Sequence, residues 1–193
     1  MKERLIANLL ENRFISTSDQ VKIADKFQVK QVRNGDWLIK AGTVARHLYF
    51  INEGVLKITI PHVTEKDIVY YFMESPQFMT FLYSMYGNIP AQQGLQAATD
   101  SQILTIGMDD LMALYEEIPY LRGLIDEIAQ LSMAHMVTIK NIYAGRDALD
   151  KYKLFLTKQK DIATQVALSD IASYLGIRAQ SLSRVRRQLV GLL

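Results

Sequence analysis

Four arginines fall within ten residues near the C-terminus: Arg178, Arg184, Arg186 and Arg187, interleaved with Gln180, Ser181 and Ser183. These are side chains that read nucleic acid. Arg takes a guanine edge in a bidentate fashion, Gln suits adenine, and Ser bonds base or phosphate. At 100° per residue, Gln180, Ser183, Arg184 and Arg187 fall opposite Leu182, Val185 and Leu189 on one helix. That separation puts a polar face toward a groove and an apolar face toward a core. Arg178 at the helix entry and Arg186 on the flank are placed for phosphates, and Ser181 joins the set of DNA-binding candidates. The bland alternative is a helical hairpin with a basic, solvated face.

Other chemistry is weakly supported. His47, His62 and His135 are scattered, with no carboxylate at metal-ligand spacing. Asp109-Asp110, Glu116-Glu117 and Asp126-Glu127 are neighbours that diverge by 100° on a helix, so they form no catalytic dyad. The absence of cysteine excludes a disulfide scaffold, a thiolate zinc site, a cysteine nucleophile and a cysteine-held iron–sulfur cluster. No P-loop, G-x-S-x-G or H-E-x-x-H is present. No catalytic residue, metal or cofactor is expected, and the chain is not expected to be an enzyme.

The arginine-bearing helix needs an element to hold it. Ser169 is placed to cap a short helix in which Ile171 and Leu175 point inward. Ala172 is small where a second helix would cross, and Gly176 can take the left-handed conformation that ends a helix. Ile177 anchors the turn, and the second helix starts near Ala179. This is the pattern of a helix-turn-helix. Upstream, Pro119 to Tyr143 reads as one long helix. Leu121, Leu124, Ile128, Leu131, His135, Thr138 and Ile142 form a heptad-like seam. Ile125, Met136, Ile139 and Tyr143 widen it into a second stripe. One stripe can pack on the body, and the other suits a second subunit. A single broad core-facing stripe in a monomer is the simpler alternative.

Between Lys26 and Ile106, short runs rich in Val, Ile, Thr and Tyr alternate with turn signals. Trp37-Leu38-Ile39, Leu48 to Ile51, Val55 to Ile60, Ile68 to Met73 and Thr99 to Ile106 read as strands of an all-β roll or sandwich. Asp109-Asp110 can cap and charge the next helix, residues 1–11 form a short amphipathic helix, and Asp147 to Thr157 is helical again. The fold class is therefore α+β: an N-terminal, jelly-roll-like β-roll with its leading helix (1–108), a helical connector and dimerisation helix (109–145), and a helix-turn-helix domain (146–193). Phe78, Met79, Tyr83, Tyr86, Gln92 and Gln93 are candidates to line an effector pocket in the roll. The alternative is that they complete its core.

The 193 residues, 49% hydrophobic and 22% charged, carry enough apolar material for real cores and exclude disorder as the dominant state. The net charge of +2 hides an asymmetry. Residues 1–145 hold 13 Lys and Arg against 16 Asp and Glu, and residues 146–193 hold 9 against 4. A basic tail behind a mildly acidic body fits double-stranded DNA as the partner. The first apolar run, Leu5 to Leu10, is broken by Asn8 and is a poor signal peptide. No stretch approaches the ~18–20 apolar residues of a membrane span. A cytoplasmic protein without a membrane partner is expected.

With these residues in view, the chain resembles the Crp/Fnr family of bacterial transcription regulators over nearly its whole length. The run from Asn34-Gly35-Asp36 through Gly42 to Leu48-Tyr49-Phe50-Ile51-Asn52-Glu53-Gly54-Val55-Leu56-Lys57-Ile58 is similar to the start of the family's cyclic-nucleotide-binding β-roll. Ile171 to Ile177 and Leu182-Ser183-Arg184-Val185-Arg186-Arg187 are the most specific match. The resemblance implies a homodimer through helix 119–143 and a small-molecule effector of unknown identity. It also implies two recognition helices reading half-sites about one DNA turn apart. Three departures stand out. The family's nucleotide pocket has a Gly-Glu pair and then an Arg for the cyclic phosphate, whereas Pro76 to Thr80 and Ala91 to Ala97 contain neither. A buried cyclic phosphate would lack a cation, so no response to cAMP or cGMP is expected. Arg178 stands where a Ser or Thr cap would be, and Gln180 where many relatives have Glu. Only Val190 to Leu193 follow the second helix, so the winged hairpin is short, absent or cut off. The competing expectation is a dimeric ligand-binding or protein-interaction module without significant DNA binding.

Overall fold

The computed structural model describes residues 2–63 and 66–190, with the backbone only at Val190. The expected short wing lies outside the described residues. In chain order the elements are α1 (Glu3–Asn12), α2 (Thr17–Lys26), β1 (Gln28–Val32), β2 (Trp37–Ile39), β3 (His47–Glu53), β4 (Val55–Ile60), β5 (Ile68–Glu74), β6 (Gln77–Met79), α3 (Leu82–Gly87), β7 (Gly94–Ala97) and β8 (Ser101–Gly107). The helices α4 (Met108–Glu117), α5 (Pro119–Ile142), α6 (Ala148–Lys158), α7 (Lys160–Gln165), α8 (Leu168–Leu175) and α9 (Ala179–Val190) follow.

The strands form two antiparallel four-stranded sheets, ordered β1-β8-β3-β6 and β2-β7-β4-β5. Both sheets contribute to one core, in which Phe50, Ile51, Leu56, Leu95 and Ile103 are fully buried. In β3 the five residues from Leu48 to Asn52 are buried without alternation. A strand reads this way when both of its faces are covered, and here α1 and α4 pack on β3 from outside the roll. The turn from β3 to β4 needs Gly54. Its φ is +94°, and a Cβ there would collide with the Ser101 side chain, so the position excludes any larger residue.

Strand β5 departs from regular pairing. Ile58 of β4 faces Tyr71 and Thr59 faces Val69, so Tyr70 is the extra residue of a β-bulge. A bulge places two consecutive residues against one partner and bends the strand.

Helix α5 starts at Pro119, where the missing N–H costs nothing. Its seam divides along its length. Leu121, Leu124, Ile125 and Ile128 are buried in the chain, whereas Leu131, His135 and Thr138 are exposed.

Several local expectations need correction. Ser169 does not cap α8: the helix begins one residue before it, and the Ala167 carbonyl accepts the N–H groups of Asp170 and Ile171. Asp109 and Asp110 charge the first turn of α4 without capping it, since the N-cap position is Gly107. The last long strand starts at Ser101, because Thr99 turns its hydroxyl to Ser101 (3.2 Å) and accepts from the Val55 N–H through the same oxygen (2.9 Å). Helices α2 and α7 and strands β6 and β7 are elements for which the sequence carries little periodic signal. In α2 only Ile23 is buried. What starts it is Ser16, whose hydroxyl accepts from the Asp19 N–H at 3.1 Å.

Candidate nucleic-acid interface and cavity

Helix α8 ends in a complete Schellman motif. Gly176 has φ +65°, the Ile177 N–H donates to the Ala172 carbonyl (3.0 Å) and the Gly176 N–H to Ser173 (3.1 Å). This is the 6→1 and 5→2 pair that satisfies the last carbonyls and reverses the chain. The next helical bond, Leu182 N–H to the Arg178 carbonyl at 3.0 Å, makes Arg178 the residue that opens α9. Leu182 and Val185 are buried against α6 and α8.

That packing settles which face of α9 meets solvent. Arg178, Gln180, Ser183, Arg184, Arg186 and Arg187 are all exposed, and Ser181 is half-buried on the flank. Among the described residues, no acidic side chain pairs with any of the four arginines. Arg184 and Arg187 therefore stand on the solvent face, with Arg178 at the helix entry and Arg186 on the flank, and none of the four donates to another group among the described residues. Such a surface attracts polyanions and matches the donor-rich fork geometry that phosphates and guanine edges accept.

Helix α8 is fastened to the roll. Lys57 Nζ of β4 meets Asp170 Oδ2 at 2.6 Å, and the Val69 N–H beside the bulge donates to Ser173 Oγ at 2.9 Å. The ring of Tyr174 packs against Phe72 (5.1 Å), Phe155 and Tyr143. Beneath it the buried Gln159 carboxamide oxygen accepts from Tyr143 (2.9 Å) and Tyr174 (3.0 Å). Burial pushes the Tyr143 hydroxyl up to about 12 and raises that of Tyr174 as well.

On the other face of β5 lies a cavity of about 360 Å³ between the roll and α5. Phe78, Met79, Tyr83 and Gln93 line it. Tyr86 and Gln92 do not. Tyr86 turns to α4, where its hydroxyl meets that of Tyr115 (3.1 Å) under the Arg122 guanidinium. Gln92 is exposed, and only its backbone N–H reaches inward, to the Tyr83 hydroxyl at 2.8 Å. The walls that sequence reasoning missed come from β5 (Tyr70, Tyr71, Met73) and α5 (Ile125, Ala129, Ser132, Met133, Met136). Tyr70 and Tyr71 are consecutive yet both line it, which plain strand alternation forbids and the bulge permits. The second stripe of α5 was the available signal for its far wall. No lysine, arginine, histidine or carboxylate is among the lining residues. Just behind the wall, the Tyr71 hydroxyl meets His135 Nδ1 at 3.2 Å. Among the described residues no cluster of three or more His, Asp or Glu could hold a metal, and no helix is long and apolar enough to cross a membrane.

Residues 29–117 match the cyclic nucleotide-binding domain family. Among solved structures, the global regulator CLP of Xanthomonas campestris aligns over 91% of this chain and 92% of its own, with a TM-score of 0.70 at 15% identity. FixK2 of Bradyrhizobium japonicum aligns over 86% and 85%, with a TM-score of 0.71 at 14% identity. The Thermus thermophilus catabolite activator protein aligns over 92% and 84%, with a TM-score of 0.55 at 14% identity. The chain has the Crp/Fnr fold. No curated protein sequence matches it. Within this Crp/Fnr framework the cavity occupies the space between β-roll and long helix. Its residues do not fit the anionic ligand that the domain family's name implies, because no cation lines the walls.

Proposed function

We propose that this Crp/Fnr-fold chain is a sequence-specific, DNA-binding transcription regulator, acting as a homodimer through helix 119–143 and not responding to cAMP. The observation that carries the reading is the solvent face of α9. Gln180, Ser183, Arg184 and Arg187 are exposed together while Leu182 and Val185 are buried. In a dimer, two copies of α9 would enter successive major grooves, about 34–36 Å apart. Gln180, Arg184 and Arg187 would meet base edges, while Arg178, Ser181 and Arg186 would meet the backbone. The exposed half of α5, with Leu131 at 57% and Val137 at 51% exposure, is the apolar surface on which the second subunit would pack. The neighbours with this fold include a c-di-GMP-responsive global regulator and a catabolite activator protein, which supports regulation as the function class.

A salt titration of binding to random duplex DNA tests the reading. The wild type should bind with a clear negative log–log slope. Arg184→Ala and Arg187→Ala together should weaken binding to the preferred site, by about 1–3 kcal/mol for each arginine that reads a base. If the wild type ignores DNA at low salt, the chain is instead a ligand-binding or protein-interaction module.

A further inference from the structure

The chemistry of the cavity walls goes beyond the absence of a phosphate site. We propose that the cavity between the β-roll and α5 binds an uncharged, largely apolar ligand carrying an aromatic ring, and rejects anions of the same size. This deepens the reading of the roll as the holder of an effector pocket, and it is read by ligand binding alone.

Three observations carry it. First, none of the lining residues carries a charge at neutral pH, and burial pushes the Tyr71 hydroxyl up to about 12. A desolvated anion would find no counter-charge there, and burying an unpaired charge is heavily unfavourable. Second, four methionines, Met73, Met79, Met133 and Met136, line the space together with the Phe78 ring. Thioethers are polarizable, adapt their rotamers, and interact favourably with ring edges. That composition suits a flat hydrocarbon face. Third, Gln77, Gln93 and Ser132 also line the cavity, and none of their side chains has a hydrogen-bond partner among the described residues. Carboxamides and a hydroxyl offer both donors and acceptors, which match a neutral carbonyl, amide or hydroxyl. A volume of about 360 Å³ is at the small end of ligand sites and suits a molecule of two or three rings.

The probe pair is N-phenyl-1-naphthylamine, which is neutral, and 1-anilinonaphthalene-8-sulfonate, which has the same rings with a fixed negative charge. Cyclic AMP serves as a second anion. Fluorescence titration of the full chain should show saturable binding of the neutral probe, one per subunit, about tenfold or more tighter than the sulfonate, with no displacement by cAMP. Ala129→Trp and Ser132→Phe each fill the space from α5 and should weaken the neutral probe about tenfold or more, with the thermal unfolding transition retained. Gln93→Arg should swing preference toward the sulfonate, which decides the matter even if both filling variants fail to fold. Binding of the sulfonate or of cAMP as tight as the neutral probe would overturn the proposal. So would a neutral-probe affinity that folded filling variants leave unchanged, or a preference that Gln93→Arg does not move. None of these readouts involves DNA, so a chain that ignores DNA but prefers the neutral probe refutes the regulator reading and leaves this one standing.

Discussion

The buried Gln159 is the residue on which the helix-rich end of the molecule is centred. One carboxamide oxygen accepts from two phenols, Tyr143 and Tyr174. Replacing it by Leu would leave two buried hydroxyls unpaired, and each such group costs about 1–3 kcal/mol. Gln159→Leu should therefore lower unfolding free energy in denaturant titration by about 2–6 kcal/mol. Adding Tyr143→Phe and Tyr174→Phe should recover much of that loss, because the unsatisfied groups are then gone. Buried phenols across the molecule also set an upper pH limit. Tyr49, Tyr71 and Tyr143 are each raised from 10.0 to about 12 by burial. For an acid whose folded pKa is raised, the stabilisation is present below the unfolded pKa and is lost as pH climbs between the two values. Melting temperatures should show no tyrosine-dependent fall below pH 10 and a steep one from 10 toward 12. A transition unaffected over that interval would contradict the burial of these hydroxyls.

Among the elements, α5 carries two duties along one seam. Its first half is core, with Leu121, Leu124 and Ile128 buried, and its second half turns Leu131 and Thr138 to solvent. Leu131→Glu should leave the subunit folded and shift the assembly from dimer to monomer in sedimentation velocity. If the wild type sediments as a monomer, the single-stripe reading of this helix holds. Elements were legible in the sequence in proportion to their apolar periodicity. The long strands, α5 and the α8–α9 pair announce themselves because apolar residues recur through them at strand or helix spacing. Strands β6 and β7 are three and four residues long, too short for alternation to register. Helix α2 rests on a capping serine and a single buried isoleucine. The arginine face of α9 could be read because Leu182 and Val185 define its opposite side. The cavity was only half legible. Aromatic and glutamine content marks the segment between Phe72 and Gln96, but composition does not say that Tyr86 faces α4, or that β5 and α5 close the far wall.

At the scale of the whole molecule, the α8–α9 unit is bound to the roll by partners far apart in the chain. Lys57 and Asp170 are 113 residues apart and keep only 12% and 21% of their side-chain surface exposed. A charge-assisted hydrogen bond of this kind contributes about 1.5–3 kcal/mol. Lys57→Ala should speed amide hydrogen exchange in residues 168–175 while leaving the exchange of β3 and β8 unchanged. A uniform change across the chain would mean the pair serves global stability instead of docking.

The bulge at Tyr70 has a mechanical corollary. With one residue out of step, the strand shows Tyr70 and Tyr71 to the cavity and still delivers the Val69 amide to Ser173. Deleting that single codon would leave Val69 opposite Thr59, on the face it already occupies, and would take only the Tyr70 ring out of the cavity wall. The tether from Val69 to Ser173 would persist, so a reshaped chamber would still be coupled to the helix pair that carries the exposed arginines.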